Sequence, residues 1–230
     1  MAALSHSALM GAYSVARIPD DHIAYLRHLR DVEGFQPKVA YDIGSCMLAW
    51  RFEALVVWPK LKIYCIEANS YQTDFYPTMG IPESEFACEV VSDRDGREVQ
   101  WWESPSSLTG NSYYREIGGR DPTLIYPDDC AVTRSSKTLD TIVAEKGWPK
   151  PDLVKIDVQG ADVDVVRGGL ATLTGVPHLL IELAHAEYNE GAPLREEATR
   201  ELEALGFQAP DAPFDTRDVD ADYDFIGVSA

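Results

Sequence analysis

The chain has 230 residues, 45% of them hydrophobic, and a formal net charge of −18. This length and hydrophobic content suffice for a full core, so we expect one domain with a modest extension. The acidity excludes electrostatic attraction to nucleic acid or to an anionic membrane, because both require clustered lysine and arginine, and neither is expected as a partner.

The sequence gives no indication of export or of structural metal. Its first residues lack a cationic start followed by an apolar block, which predicts no secretory signal and a cytoplasmic location. No apolar run is long enough to span a bilayer. Cys46, Cys65, Cys88 and Cys130 form no CxxC pair or Cys/His cluster, so neither a zinc site nor a disulfide framework is indicated.

Residues 1–37 are predicted to form an N-terminal helical extension to a main domain of residues 38–230. Apolar residues recur at helical spacing after Pro19, which itself precedes two aspartates, as in the first turn of a helix. These features predict a helix over residues 19–32. Two interpretations stay open: the extension packs on the domain as an arm, or it forms a lid over the active site.

The first predicted strand begins at Val39 and ends in Asp42. Gly44 follows, and Ser45 is predicted to cap a helix that starts at Met47. This strand-turn-helix unit leaves room for a ligand. It is not a dinucleotide fingerprint, because GxGxxG requires three glycines and only Gly44 is present.

The second predicted strand covers residues 61–66 and ends in Glu67. Glu67 follows Asp42 at about the spacing at which α/β nucleotide sites place an acid against ribose hydroxyls. Because a carboxylate can accept both hydroxyl protons of a ribose diol, Glu67 is a candidate for ribose binding.

Residues 86–91 predict a third strand, and an Asp-Gly turn then leads into a strand over residues 98–103. Residues 104–129 are rich in Ser, Gly, Pro, Asn and Tyr and lack helical or alternating periodicity. They are predicted to form a loop insertion on the substrate side. Within it, Asn111 and Tyr113 are candidates for substrate binding.

The remaining chain continues to alternate strands and helices, which predicts a mostly parallel, doubly wound α/β sheet. Asp157 follows one predicted strand, and Glu182 lies near the end of another. Strand carboxyl ends face the ligand crevice in such sheets, so Asp157 is a candidate for chemistry, although it can equally cap a helix. The later predicted strands are residues 131–135, 153–156, 178–183 and 223–228, and the helices are residues 138–147, a segment after Gly160, and residues 195–205.

Residues 211–224 carry six aspartates against a single arginine, Arg217. This spacing lacks the register and the closing glutamate of an EF-hand. The stretch is therefore predicted to be a solvated acidic loop.

Several motifs occur together over roughly residues 38–205. They are Leu139-Asp140, Lys155-Ile156-Asp157-Val158-Gln159-Gly160-Ala161-Asp162, Arg167-Gly168-Gly169, Tyr41-Asp42-Ile43-Gly44, Ile66-Glu67-Ala68-Asn69 and Val91-Ser92-Asp93. Their combination resembles the FkbM-type S-adenosylmethionine-dependent methyltransferases. The resemblance implies a class I methyltransferase fold: a Rossmann-like, seven-stranded, mostly parallel sheet with helices on both faces and an antiparallel last strand. It also implies methyl transfer to an oxygen of a sugar, a glycan or a secondary metabolite.

The resemblance also implies roles for individual residues. The implied cofactor-binding set is Asp42, Gly44 and Ser45 at the methionine part of S-adenosylmethionine, Glu67 and Ala68 at the ribose, Ser92 and Asp93 at the adenine edge, and Asp157 near the transferring methyl group. Substrate binding is assigned to Asn111, Tyr113 and Gln159.

A hydroxyl acceptor must lose a proton during transfer, so a general base is sought. The candidates are Asp157, Glu182 and His185, of which His185 has the most suitable ordinary pKa. An alternative gives Asp157 and Glu182, with a third oxygen ligand, to a divalent cation. Spacing alone does not show that these residues converge, so no metal site is assigned.

Three positions depart from the family pattern. Cys46 and Leu48 stand where the family commonly has Asn and Gly, and Gln159 stands where it has Glu. These departures keep open a non-catalytic, methyltransferase-like binding protein, and the shared sheet keeps open an NAD(P)-dependent oxidoreductase. A small-molecule or glycan acceptor is the expected partner, and Trp101 and Trp102 leave a homo-oligomer as an alternative.

Overall fold

The computed structural model describes residues 20–104, 107–118 and 126–228. None of the helices in these ranges combines the length and the apolarity that crossing a membrane requires. The α-helices are α1 (Asp20–Asp31), α2 (Ala49–Val57), α3 (Ser70–Thr73), α4 (Leu139–Lys146), α5 (Asp162–Arg167), α6 (Leu170–Leu173) and α7 (Arg195–Ala204). The strands are β1 (Val39–Ile43), β2 (Lys62–Ile66), β3 (Phe86–Ala87), β4 (Val90–Val91), β5 (Glu98–Ser104), β6 (Ser107–Ser112), β7 (Ala131–Lys137), β8 (Leu153–Ile156), β9 (His178–Ala184), β10 (Phe207–Gln208), β11 (Asp215–Thr216) and β12 (Asp220–Gly227).

The main sheet has the strand order β10-β12-β9-β8-β1-β2-β3. The five strands from β3 to β9 run parallel, and β12 runs antiparallel between β9 and β10. This arrangement confirms the predicted α/β, doubly wound, Rossmann-like sheet and its antiparallel last strand. Within the described residues the sheet has eight strands rather than seven, because the two-residue β11 also pairs with β12.

A second sheet has the order β4-β7-β5-β6. Its strand β6 corrects the loop predicted over residues 104–129, since β6 pairs antiparallel with β5. Several side chains of β6 stay partly exposed, so its sequence does not need to alternate between apolar and polar residues. Backbone pairing with β5 holds the strand in place. Residues 119–125 of the predicted loop lie outside the described ranges.

Apolar clusters pack on both faces of the main sheet. Tyr41 and Ile43 of β1 belong to one cluster, and Ala40 belongs to the other, as the two-residue period of a strand requires. Leu26 and Leu29 of α1 are fully buried in the second cluster. The described part of the N-terminal extension therefore packs on the sheet as an arm, and residues 1–19 lie outside the described ranges.

The helix after β1 begins later than predicted. Leu48 has φ 66°, a left-handed conformation that interrupts the helix, so α2 begins at Ala49. Ser45 does not cap α2. Its hydroxyl lies 3.2 Å from the carbonyl oxygen of Ile66 and 2.9 Å from the hydroxyl of Tyr76, and it thereby ties the ends of β1 and β2 together.

The prediction of a solvated acidic loop over residues 211–224 is wrong for its central part. Arg217 donates hydrogen bonds to Asp215 at 2.8 Å, to Asp220 at 2.5 Å and to Asp222 at 2.9 Å. These three aspartates are buried. A guanidinium has five donors in a planar fork, so one arginine can hold several carboxylates away from water.

Candidate active site

A cavity lies at the carboxyl ends of β1, β2 and β8, bordered by β4, β5 and β6. Parallel pairing places these three strand ends side by side, with Ile43 opposite both Ile66 and Ile156. The predicted site residues that line the cavity are Gly44, Glu67, Ala68, Asn111, Tyr113, Asp157 and Gln159.

Gly44 brings two strand-end turns into direct contact. Its φ is +79°, and a Cβ added there would lie 1.8 Å from the carbonyl oxygen of Asp157. The amide of Gly44 donates to the Ile66 carbonyl at 2.8 Å. Only glycine permits this backbone conformation together with this approach, so Gly44 joins the turns after β1, β2 and β8.

Glu67 presents a buried carboxylate to the cavity, with 8% of the residue exposed. One carboxylate oxygen accepts from the amide of Cys46 and the other from the amide of Asn69, each at 2.8 Å. Burial raises the pKa of Glu67, although these amides oppose the shift. A carboxylate has about four lone-pair positions, so about two remain for hydroxyl groups of a ligand.

The turn that holds Glu67 has an uncommon backbone. Cys46 has φ 45° and Leu48 has φ 66°, both left-handed conformations. Asn and Gly tolerate this conformation best. The turn therefore keeps a backbone suited to Asn and Gly while Cys46 adds its side chain to the cavity wall.

Asp157 is an ionised carboxylate at the cavity edge, with its side chain 30% exposed. Lys155 Nζ lies 3.2 Å from one carboxylate oxygen, and the amide nitrogen of Gln159 donates to the other at 2.7 Å. Burial alone would raise the pKa of Asp157. The positive charge of Lys155 and the bond from Gln159 outweigh burial, so the pKa is held below its ordinary value.

The other two candidate bases do not line the cavity. One carboxylate oxygen of Glu182 accepts from Arg217 at 2.6 Å, and the other accepts from Tyr188 at 2.9 Å. His185 lies exposed in the loop after β9. Among the candidate bases, the structure therefore brings only Asp157 to the cavity.

Four predicted cofactor residues also lie away from the cavity lining. Asp42 is fully buried beneath it, 3.7 Å from Lys155, and Ser45 bonds within the turns described above. Ser92 is drawn into the second sheet, since its amide bonds the Lys137 carbonyl at 3.0 Å. Asp93 forms an ion pair with Arg97 at 3.0 Å.

Asn111 and Tyr113 form part of the wall that β6 contributes. Tyr126 donates to the side-chain oxygen of Asn111 at 3.0 Å, and the hydroxyl of Tyr113 donates to Asp164 at 2.8 Å. The hydroxyl of Ser112 bonds the Val158 carbonyl at 3.3 Å, so β6 is anchored to the turn after β8.

Several lining residues were not predicted as site residues. Some belong to strands and others to the turns that follow them, and the local sequence does not show that they meet at one cavity. The additional lining residues are Ile43, Cys46, Ile66, Glu89, Val90, Val91, Trp101, Leu108, Thr109, Gly110, Val158 and Ala161.

One group of metal-type ligands lies outside the cavity lining: atoms of His22, Asp215 and Asp222 fall within 4.8 Å of one another. Arg217 already bonds both aspartates, and Trp50 Nε1 donates to His22 Nε2 at 2.8 Å. The Nδ1 atom of His22 faces Asp222 at 3.4 Å. Protein partners therefore already occupy this donor set, and we assign it no metal.

The alternative of a cation between Asp157 and Glu182 gains no support. The side-chain amide nitrogen of Gln159 donates to Asp157 at 2.7 Å and approaches Glu182 at 3.4 Å. Gln159 adopts φ 55°, which directs its amide between the two carboxylates. An N–H donor in that position fills the place that a cation would need.

The chain is similar in sequence to one family of proteins and similar in fold to several solved structures. The profile described as Methyltransferase FkbM domain matches residues 40–209. The chain is 30% identical over 168 residues to 2-O-methyltransferase NoeI of Sinorhizobium fredii (strain NBRC 101917 / NGR234), a match covering 68% of each protein.

Two solved structures share the fold. One is a protein from Klebsiella pneumoniae described as an O-methyltransferase, with a TM-score of 0.52, 11% identity, and coverage of 97% of this chain and 89% of that one. The other is cofactor-bound Rv0187 from MTB, with a TM-score of 0.53, 12% identity, and coverage of 97% and 89%. At these identities the likeness concerns the fold alone.

Proposed function

The chain belongs to the FkbM methyltransferase family, and on that premise we propose that it is an S-adenosylmethionine-dependent O-methyltransferase. The proposed acceptor is a hydroxyl group of a sugar, a glycan or a secondary metabolite. The observation that carries the proposal is the Glu67 carboxylate, which faces the cavity beside the Gly44 turn. This is the strand-end position at which open α/β sheets bind nucleotide-like ligands.

The charges around the cavity fit a cationic cofactor. S-adenosylmethionine carries a sulfonium and an ammonium group, and the carboxylates of Glu67, Glu89 and Asp157 line the cavity. No lysine or arginine is among the lining residues in the described ranges. The apolar side chains of Ile66, Val90 and others give the opposite wall a surface suited to a base or another flat ring.

The same charges weigh against a nicotinamide dinucleotide. Its pyrophosphate would need amide donors of a glycine-rich turn or a nearby cation, and it would instead meet the carboxylates of Glu67 and Asp157. Only Gly44 of the three fingerprint glycines is present. A non-catalytic binding protein stays the alternative, since two of the three departing positions, Cys46 and Gln159, line the cavity.

In the proposed reaction the cofactor supplies an electrophilic methyl group bound to a sulfonium. Glu67 accepts hydrogen bonds from the ribose hydroxyls, and the Gly44 turn lets the ligand approach the backbone. Asp157 would hold the acceptor hydroxyl in line and take up its proton as the carbon–oxygen bond forms, while the carbon–sulfur bond breaks and its electron pair stays on the sulfur. A carboxylate of low pKa is a weak base before transfer, but it is ionised across the neutral range and always ready to accept this hydrogen bond.

The acceptor is proposed to enter beside β6, where Asn111, Tyr113 and Gln159 provide amide and hydroxyl groups. An amide offers both a donor and an acceptor, which suits a polyhydroxylated ligand. The relative NoeI is named as a 2-O-methyltransferase, which supports an oxygen as the methylated atom. A homo-oligomer remains a proposal without further support, since Trp101 faces the cavity.

Titration calorimetry tests cofactor choice directly. The proposal expects S-adenosylmethionine and S-adenosylhomocysteine to bind the pure protein and NAD to give no heat. Binding of NAD alone would favour the oxidoreductase, and binding of neither ligand would favour the non-catalytic protein. Transfer from methyl-labelled cofactor to a panel of glycosides then tests the reaction, and Asp157→Asn is expected to bind S-adenosylhomocysteine while losing transfer.

A further inference from the structure

Lys155 is a buried lysine that no proposed step yet uses. It lies on β8, and its side chain is 10% exposed. Its ammonium nitrogen lies 3.2 Å from Asp157, 3.7 Å from Asp42 and 3.3 Å from the carbonyl oxygen of Gly44. The ammonium group of Lys155 therefore lies close to Asp157 at the cavity edge, to the Gly44 turn and to the buried Asp42.

Asp42 explains why an ammonium can lie this deep. Asp42 is completely buried, and neither of its carboxylate oxygens has a hydrogen-bond donor within the described chain. Register places it directly between Lys155 on β8 and Cys65 on β2, so Lys155 is the cation next to it. A buried, ionised carboxylate without hydrogen-bond donors needs a neighbouring positive charge, and a buried ammonium needs a neighbouring negative charge.

The pKa shifts support the pairing of Lys155 with Asp157. Burial lowers the pKa of Lys155, but the carboxylates of Asp157 and then Asp42 outweigh burial and raise it. Burial raises the pKa of Asp42 and outweighs the opposing charge of Lys155. Lys155 therefore stays charged, and Asp157 is the acid whose ionised form it stabilises most directly.

We propose that Lys155 is a positioning residue that acts through Asp157, keeping this carboxylate ionised and fixed against the Gly44 turn. The inference rests on the proposed function, in which Asp157 lies beside the transferring methyl group and therefore close to the sulfonium that carries it.

Other charged groups also surround Asp157, and none replaces Lys155. The carboxylate of Asp222 raises the pKa of Asp157, so its influence opposes that of Lys155. Arg217 bonds Glu182 and the aspartates of β11 and β12. The charged or titratable groups that act on Asp157 are Asp42, Cys46, Lys155, Asp162, Arg217 and Asp222.

The test compares two ligands that differ by one charge. S-adenosylmethionine carries the sulfonium cation, and S-adenosylhomocysteine has a neutral thioether in its place. The ratio of their affinities therefore reports the negative charge that faces the sulfur, while changes common to both ligands cancel. Calorimetry measures this ratio from about pH 7.5 to about pH 5.5, a range in which an ordinary aspartate stays ionised.

The variant Lys155→Met removes the ammonium and keeps an unbranched side chain of similar length. Burial then controls Asp157, its pKa rises, and the carboxylate takes up a proton as the pH falls. The affinity ratio of the variant is expected to fall by about tenfold between the two pH values. In the wild-type protein the ratio is expected to stay constant, because Asp157 remains ionised throughout.

Two further variants guard against misfolding and give a control. The double variant Asp42→Asn with Lys155→Met removes a positive and a negative charge together, and it is expected to show the same fall as Lys155→Met. Asp42→Asn alone keeps Lys155 on Asp157, so its ratio is expected to stay constant with pH.

The outcomes separate the two levels of the account. If the wild-type protein binds neither ligand, the proposed function fails. If it binds both, but the ratio in the folded double variant is as constant as in the wild type, Lys155 is only structural and the inference is overturned. A fall in Asp42→Asn as large as in the double variant would also overturn it, because Lys155 would then not be the group that keeps Asp157 ionised.

Discussion

Replacing Gly44 with alanine should break the contact between the turns that build the cavity. The added Cβ would lie 1.8 Å from the Asp157 carbonyl oxygen, so the backbone after β8 must move. A left-handed φ of +79° costs an L-residue about 1–2 kcal/mol. Overpacking against a backbone atom adds about 1–3 kcal/mol, so the total loss of unfolding free energy should be about 2–5 kcal/mol.

Gly80 offers a matched control, because it has φ +83° and nothing within 4 Å of an added Cβ. Gly80→Ala should therefore lose only the conformational part, about 1–2 kcal/mol. Urea denaturation measures both losses, and calorimetry measures the affinity for S-adenosylhomocysteine. Gly44→Ala should lose more stability than Gly80→Ala and should also lose affinity. Equal losses in the two variants, with affinity unchanged, would refute the close contact at Gly44.

Three other changes test separate parts of the site. Glu67→Gln should weaken S-adenosylhomocysteine binding by about 1–3 kcal/mol, because an amide accepts hydrogen bonds through one oxygen only. The surface variant Glu190→Gln should leave this affinity unchanged. If calorimetry gave the same affinity for Glu67→Gln and the wild type, Glu67 would not belong to the ribose site. Burial and then the charge of Asp157 raise the pKa of Asp162 to about 8. The folded state therefore binds more protons than the unfolded state between about pH 4 and pH 8. The stability that Asp162 contributes in its protonated form is lost as the pH rises through this range. The stability of Asp162→Asn relative to the wild type should therefore improve over that window by up to about 1.4 kcal/mol per pH unit in urea denaturation, and a constant difference would contradict the shift. Arg217→Met should destabilise by about 3–5 kcal/mol, since it strands the buried carboxylates that Arg217 holds, and a loss below about 1 kcal/mol would show that they need no cation.

The main sheet could be predicted because its strands are short apolar runs that end in acids. Glu67 and Asp157 both reach the cavity, as the carboxyl ends of parallel strands should. Asp42 also lies near the end of an apolar strand, but its side chain is buried below the cavity. Side chains alternate between the two faces of a sheet, so a shift of one residue along the strand changes the face on which a side chain lies. The local sequence does not reveal on which side of the strand end the ligand lies.

The remainder of the site depends on contacts between distant segments. Nothing near β6 in sequence shows that it pairs with β5 and borders the cavity. Arg217 bonds acids of β11 and β12 and also Glu182 of β9. Glu182, predicted as a candidate base, is therefore a hydrogen-bond partner of a guanidinium group. Composition correctly described residues 211–224 as acidic, but it could not show that Arg217 holds the buried Asp215, Asp220 and Asp222.

Part of the family signature is explained by packing rather than by ligand contact. Asp140 accepts from the amides of Ala171 and Thr172 at 3.0 and 2.8 Å, which holds the start of α6. A Cβ at Gly168 would lie 2.2 Å from the Ser92 carbonyl oxygen. These residues fix how the segments around β8 pack, whereas Asp157 and Gln159 of the same signature reach the cavity.

A crystal structure of the protein with S-adenosylhomocysteine tests the central claim most directly. The account predicts the ligand in the cavity at the ends of β1, β2 and β8, with its ribose hydroxyls on the Glu67 carboxylate and its sulfur facing Asp157. A ligand bound elsewhere, or one whose ribose does not touch Glu67, would contradict the assignment of this cavity as the cofactor site.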